Sequence, residues 1–412
     1  MKILIVNYSD KMGGAARATW RLYQAMRRHN QDDIIRYAVI EKTSAGDDNI
    51  ITPSPTHKLN WLQEKELKFR QRHIFKNKTY HSLNLFSSPM LKLINDEKPD
   101  IIHLHWIGNN TLSIRDLSKL KAKTIFWTLH DEWALHGAEH YHDSDHPDAY
   151  VDGYKSLPKP DKDRSINRFV WLLKKFYYIF LNRKLHLLVP SKWMHSRVLK
   201  NRILKPKSMH VLPYALDILT FKPRDKIQSR RNHNLPLDKK IILFGADTAD
   251  AVPAKGYHEL TEAIAKLKDY ISTDEHVICI FGHTFNPVSQ LHGFPVIYTG
   301  HIDDDQKLSE IYSAADIMVV PSLIDNAPQT VTESLACGTP VVAFRTCGLP
   351  DYITHEKTGY LAQAFDTDDL ARGIAYLLKN EHGMKNDCVQ SVSDFSYDKI
   401  SEQRQALYHS AL

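Results

Sequence analysis

Short apolar, β-rich runs alternate with amphipathic stretches along this chain in two successive series: residues 3–6, 34–40, 101–105, 124–128 and 185–189, then residues 241–244, 277–281, 296–298, 317–320 and 341–344. Strands buried on both faces read as continuous apolar runs, and helices between them supply the crossovers of a parallel sheet. The pattern therefore predicts an α/β chain with doubly wound, mostly parallel sheets. Its 412 residues exceed what one compact core accommodates, so two domains of about 200 residues each are expected. The stretch Val211-Leu212-Pro213-Tyr214-Ala215-Leu216-Asp217 separates the two series. It places a first Rossmann-like domain at residues 1–205, a hinge at 206–222, a second Rossmann-like domain at 223–392 and a helical segment at 393–412 that is expected to return to the first domain. Two such domains facing a central cleft would present their strand ends to it, where ligands of open α/β sheets collect.

Hydrophobic residues make up 42% and charged residues 25% of the chain, a globular balance, and no apolar run is long enough to span a bilayer. The opening Met1-Lys2-Ile3-Leu4-Ile5-Val6 lacks the apolar core and cleavage site of an export signal, so a cytoplasmic location is expected. The formal charge of +6 is a modest bias, which argues against a dedicated nucleic-acid partner. Its cations concentrate in residues 58–78 and 164–207. Cys279, Cys337, Cys347 and Cys388 show no CxxC pairing, so neither a disulfide framework nor a structural zinc site is expected.

The densest chemistry lies beyond the strand that ends at Pro321-Ser322. A polar loop holds Asp325 and Asn326, and a helix over residues 329–337 is stopped by Gly338 and Pro340. Asp325 and Glu333 have seven residues between them, and the helix start between them offers amides to a phosphate. An amphipathic helix behind an acidic loop accounts for the same residues structurally. Lys255-Gly256-Tyr257 opens another helix, where a lysine can neutralise a diphosphate. Gly13-Gly14-Ala15-Ala16-Arg17 follows the first strand; paired glycines let another molecule approach the backbone. The Gly-x-Gly-x-x-Gly spacing is absent, which argues against an NAD enzyme. His105 and His130 end two strands, either as packed residues or as ligand contacts.

The run from Pro321 through Gly338-Thr339-Pro340-Val341 resembles the nucleotide-sugar signature of glycosyltransferase family 4, a retaining GT-B family whose pattern is Glu, seven residues, Glu. His130-Asp131-Glu132-Trp133 resembles the His-Asp-x-Trp of members that build bacterial surface polysaccharides. With the glycine loop, the hinge and Lys255-Gly256, these motifs stand in family order over nearly the whole chain. The resemblance implies sugar transfer from a nucleoside diphosphate sugar to a glycan or lipid-linked acceptor, with retention of anomeric configuration and no cofactor or obligate metal. It implies that Glu333 holds the ribose, that Asp325 and Asn326 border the transferred sugar, and that Gln329 and Thr330 present amides to sugar and phosphate. Lys255 would neutralise the leaving diphosphate, Gly13 and Gly14 would line the reaction centre, and His130 would contact the transferred sugar. His130, Lys255 and Asp325 form the catalytic group on this reading.

The chain departs from the family in three places. Asp325 replaces the first Glu; Ala246 and Ala254 stand where an arginine usually accompanies the lysine; and residues 136–141 lack the cysteine of a Thr-Gly-x-Cys-His run. A degenerate GT-B protein that binds nucleotide or glycan without turnover, or a sugar-nucleotide epimerase, therefore stays open. Asp303-Asp304-Asp305 reads as a helix cap rather than a metal site, and His140, His142 and His146 crowd one loop without zinc-like spacing. Residues 164–184 carry Ile166, Phe169, Val170, Leu173, Phe176, Tyr177 and Phe180 among cations. They read as a core helix of the first domain, or as a peripheral contact with an anionic membrane; Trp61, Leu62, Leu67, Phe69 and Ile74 pose the same choice.

Overall fold

A computed structural model describes residues 1–29, 32–54, 65–66, 68, 79–157, 162–245, 252–282 and 287–412. Ala246 and the apolar residues Trp61, Leu62, Leu67, Phe69 and Ile74 lie outside the described residues. The chain forms two compact units, Met1–Pro213 with Ile400–Leu412, and Tyr214–Lys399.

The first unit is built on a seven-stranded sheet of order β3-β2-β1-β4-β5-β6-β7. Its strands are β1 (Lys2–Ser9), β2 (Ile34–Glu41), β3 (Ile50–Ile51), β4 (Ile101–Leu104), β5 (Thr124–Thr128), β6 (Leu185–Val189) and β7 (Ser208–Val211). All pairings are parallel, with Ile3 beside both Ile35 and Ile101. Central β4 and β5 are buried throughout, which is why their sequences are mostly apolar rather than alternating, with His103 the polar residue within β4 and threonines at the two ends of β5. The second unit repeats the plan in the order β10-β11-β9-β8-β12-β13-β14. Here the strands are β8 (Lys240–Gly245), β9 (His276–Phe281), β10 (Gln290–Leu291), β11 (Phe294–Gly300), β12 (Ile317–Val320), β13 (Val341–Phe344) and β14 (Gly359–Ala362). Only the short edge strand β10 runs antiparallel among these described pairings.

Both sheets reverse direction of winding once, between β1 and β4 in the first unit and between β8 and β12 in the second. Successive crossovers leave such a point on opposite faces, so the carboxyl ends flanking it open a crevice. Gly13-Gly14 follows β1 and Trp106 follows β4; Lys255 lies in the connection after β8 and Asp325 in the loop after β12.

Several boundaries differ from expectation. The strand β7 carries the first unit to Pro213, and Leu216 N donates to Phe395 O at 2.8 Å inside the second unit, so the division falls at 213/214. The first helix starts at Gly14 and runs to His29. The last one spans Tyr397–Ala411 after a 3-10 turn at Ser393–Phe395, and from Ile400 onward it belongs to the first unit. Asp304 caps the helix Asp305–Ala314 by accepting from Gln306 N and Lys307 N. The helix Lys162–Leu181 buries Val170, Trp171, Lys174, Tyr178 and Leu181, whereas Phe169, Phe176 and Phe180, read as part of its core face, are exposed.

Candidate functional site

In the second unit, Lys255 closes the 3-10 turn Pro253–Lys255 and Gly256 follows in the left-handed region, with φ +74°. A Cβ on Gly256 would lie 1.9 Å from Pro321 O, so the two connections can approach this closely only because the residue is glycine. Leu323 N donates to Ala254 O at 2.9 Å and locks them together. This clamp brings residues 70 positions apart into an ion pair: Lys255 Nζ donates to Asp325 Oδ2 at 2.7 Å, the ammonium half-buried and the carboxylate buried. The backbone carbonyl of Asp325 accepts from Gly348 N at 3.0 Å, which fixes the loop from the β13 side.

Asn326 is buried beside it, and the helix Gln329–Ala336 begins three residues later. Pro328 at its N-cap supplies no side-chain acceptor, so the first turn keeps its amide-rich, electropositive end. Gln329 and Thr330 are half-buried there. One turn on, Glu333 is buried, and the Tyr312 hydroxyl donates to its Oε2 at 2.8 Å. Tyr312 is a partner that sequence reasoning missed; nothing in a helix-face tyrosine distinguishes it from core. Cys337 at the C-cap packs near Ser309, and burial pushes its thiol up to about 12, which makes it inert.

In the first unit, Gly13 has φ +89°, and a Cβ on either Gly13 or Gly14 would meet nothing within 4 Å. Packing inside the chain therefore does not demand the second glycine; the loop is bare on its outer side. Asp10 anchors it from below by accepting from the backbone and hydroxyl groups of Thr43 and Ser44. Burial opposes ionisation of Asp10, yet those donors hold its carboxyl below the usual range.

His130 lies two residues beyond the end of β5, beside His105, whose Nδ1 is 2.9 Å from His130 Nε2. Burial drives His130 down to about 4 and His105 and His103 well below their ordinary value, so all three rings are neutral at neutral pH. His103 turns the other way: Thr128 Oγ1 lies 2.8 Å from its Nε2 and the Tyr408 hydroxyl 2.6 Å from its Nδ1, with Arg404 alongside. Asp131 Oδ2 accepts from Trp106 Nε1 at 2.8 Å and pairs with His140 Nδ1 at 2.6 Å, while Oδ1 accepts from Trp133 N. Beneath this loop Glu132 accepts from Arg197 Nε at 2.5 Å and from the backbone amide of His142 at 3.0 Å. Lys174 is fully buried and donates to the carbonyls of Trp133, His136 and Gly137, its ammonium 3.5 Å from the Trp133 ring centroid. His140 and His142 are thus hydrogen-bonded to carboxylates, and among the described residues no group of three or more His, Cys, Asp or Glu is arranged to hold a metal ion.

The sequence matches the profile described as Glycosyltransferase Family 4 over residues 12–218 and the one described as Glycosyl transferases group 1 over residues 225–393. It is 25% identical over 235 residues to the MMP alpha-(1->4)-mannosyltransferase of Mycolicibacterium hassiacum, covering 55% of this chain and 54% of that one. It is 25% identical over 306 residues to the sulfoquinovosyl transferase of Arabidopsis thaliana, covering 72% and 53%. The matched stretches thus span about half the length of these relatives. The fold is similar to sucrose-phosphate synthase of Thermosynechococcus elongatus, with TM-score 0.70 and 19% identity over 100% of this chain and 98% of that one. It is also similar to Anabaena HepE in complex with UDP and glucose, with TM-score 0.66, 15% identity and full coverage of both chains. Two Rossmann-like units of this kind are the GT-B fold, and with the match extending over half its length the chain belongs to glycosyltransferase family 4.

Proposed function

We propose that the chain transfers a sugar from a nucleoside diphosphate sugar to a glycan or lipid-linked acceptor with retention of anomeric configuration, in the synthesis of a bacterial surface polysaccharide on the cytoplasmic side of the membrane. The observation that carries this reading is the Lys255–Asp325 pair set before a helix whose N-cap, Pro328, makes no side-chain hydrogen bond. An arriving diphosphate competes with Asp325 for the ammonium. Lys255 and the first-turn amides then meet the negative charge that grows on the leaving oxygen, while Asp325 and Asn326 turn to the sugar hydroxyls. Glu333 takes the ribose; a carboxylate accepts several hydrogen bonds, so the Tyr312 contact on Oε2 orients it without using it up. A neutral His130 serves a sugar hydroxyl without adding charge, with Gly13 and Gly14 leaving room for the reactants. With the charge met in this way no metal is required, and transfer should survive chelation by EDTA.

Purified Lys255→Ala should lose turnover with little change in donor binding, and Glu333→Ala should lose donor binding; wild-type behaviour of both removes the assignment. A screen of nucleoside diphosphate sugars by thermal stabilisation and diphosphate release identifies the donor. One observation favours a second reading, a protein that binds nucleotide without turnover: Lys255 is already neutralised by Asp325, and Ala254 precedes it. Calorimetric binding with no diphosphate release in any acceptor mixture selects that reading, and altered sugar without an acceptor selects an epimerase.

A further inference from the structure

The helix Lys162–Leu181 has two apolar faces. One packs into the first unit through Val170, Trp171, Tyr178 and Leu181. The other stands in solvent: Phe169 is 55% exposed, Leu172 44%, Phe176 59%, Ile179 55% and Phe180 46%. At 3.6 residues per turn these five side chains fall within an arc of about 100° opposite the packed face, a continuous stripe rather than scattered exposure. A helix needs only one such face to belong to a core, and large apolar side chains gathered on the second mark a surface made to be covered.

The charge around the stripe says what covers it. From Arg164 to Leu216 the sequence contains no Asp or Glu, while Lys and Arg recur throughout. Lys162, Lys175 and Arg183, on or beside the stripe, are exposed, and Lys192, Arg202, Lys205 and Lys207 are exposed further along the same acid-free segment, where Lys200 pairs with Asp148 at 3.2 Å. A second copy of this chain seated on the stripe would bring these cations together with no carboxylate in the segment to pair with them. An anionic bilayer offers both terms at once: hydrocarbon for the phenylalanines and phosphate for the flanking cations.

We propose that this exposed face of Lys162–Leu181 is a docking surface for an anionic membrane, with Phe169, Leu172, Phe176, Ile179 and Phe180 entering the headgroup and acyl boundary and Lys175 and Arg183 binding lipid phosphates. The helix lies in the interface plane; among the described residues no helix is long and apolar enough to cross a membrane. The surface does not depend on the donor reading, because none of its residues belongs to the Lys255–Asp325 constellation.

Flotation of the full chain with vesicles of about three parts phosphatidylcholine to one part phosphatidylglycerol, and with phosphatidylcholine alone, tests this. Partitioning onto the anionic vesicles should fall at least about tenfold in the triple variant Leu172→Gln, Phe176→Gln, Ile179→Gln, and roughly fivefold for each of Lys175→Gln and Arg183→Gln, with wild-type losing much of its binding in high salt. All these side chains are exposed, so melting temperatures and nucleotide-induced thermal stabilisation should match wild-type and show that the fold and the donor unit are intact. Equal binding of wild-type and triple variant, or no wild-type binding to either vesicle, overturns the proposal. So does a wild-type dimer that the triple variant dissociates while vesicles capture neither.

Discussion

His105 Nδ1 and His130 Nε2 stand 2.9 Å apart, and the other ring nitrogen of His105 is buried with no hydrogen-bond partner among the described residues. An orphaned N–H is rarer in a protein interior than an orphaned acceptor, so His105 is assigned as the donor from Nδ1 and His130 as the acceptor at Nε2.

That neutral pair makes stability depend on pH. Burial is the main cause of the His130 shift from 6.5 to about 4, with Asp131 opposing it and Arg404 adding to it. The unfolded chain therefore takes up the proton first. The contribution of His130 is complete above about pH 6.5 and is lost as pH falls towards 4, a change of roughly 3 kcal/mol. His103 and His105 act in the same sense, whereas the raised His136 stabilises below its unfolded value and loses that contribution as pH rises. Urea unfolding of wild-type and His130→Gln at about pH 7 and about pH 5 should show a smaller drop in the variant.

Lys174→Met should destabilise the first unit. The change leaves the carbonyls of Trp133, His136 and Gly137 without their shared donor and removes the ammonium from the Trp133 ring. Two or more orphaned buried acceptors cost about 3 kcal/mol, read as a melting temperature lower by about 5 to 10 °C. An unchanged melt would show that the loop does not rest on this side chain.

Gly256→Ala should act on the second unit at the clamp. Its φ of +74° and the 1.9 Å approach to Pro321 O force the loop that carries Asp325 to move. A loss of at least about 2 kcal/mol is expected, together with loss of nucleotide-induced stabilisation. Calorimetry with and without nucleoside diphosphates measures both.

Tyr312→Phe separates orientation from charge at Glu333. The hydroxyl that donates to Oε2 disappears while the ring stays packed near Phe281. Nucleotide Kd should rise about fivefold, the worth of one hydrogen bond, and the ligand-free melt should fall by a few degrees because a buried carboxylate oxygen loses a donor.

The parallel sheets were legible because their strands are buried on both faces and so appear as apolar runs; the strands missed lack that signal. Ser208–Val211 is largely half-exposed at an edge, Ile50–Ile51 and Gln290–Leu291 are two residues long, and Gly359–Ala362 is a short run opened by glycine. The Lys255–Asp325 pair was open to a motif reading because each residue sits at a fixed offset from a strand end. Its geometry was not, since the approach depends on a glycine meeting a carbonyl across 65 residues of sequence. For the helix Lys162–Leu181 the sequence leaves core and membrane contact open, and the structure divides its apolar residues: Val170 is buried and Ile166, Leu173 and Tyr177 pack against the core, whereas Phe169, Phe176 and Phe180 are exposed. Aromatic residues at helical spacing look alike on either side, and nothing in the sequence marks Lys174 as finding three carbonyls inside.

Two of the partners of His103 come from more than 300 positions later, Arg404 and Tyr408 on the last helix. During synthesis the first 213 residues emerge and collapse before those side chains exist, leaving a polar ring uncovered at the heart of their sheet until the whole second unit has been made. The first unit is thus the earlier to begin folding and the later to finish. Deleting the residues from Ile400 onward should trap it as an incompletely sealed intermediate, with the second unit already native.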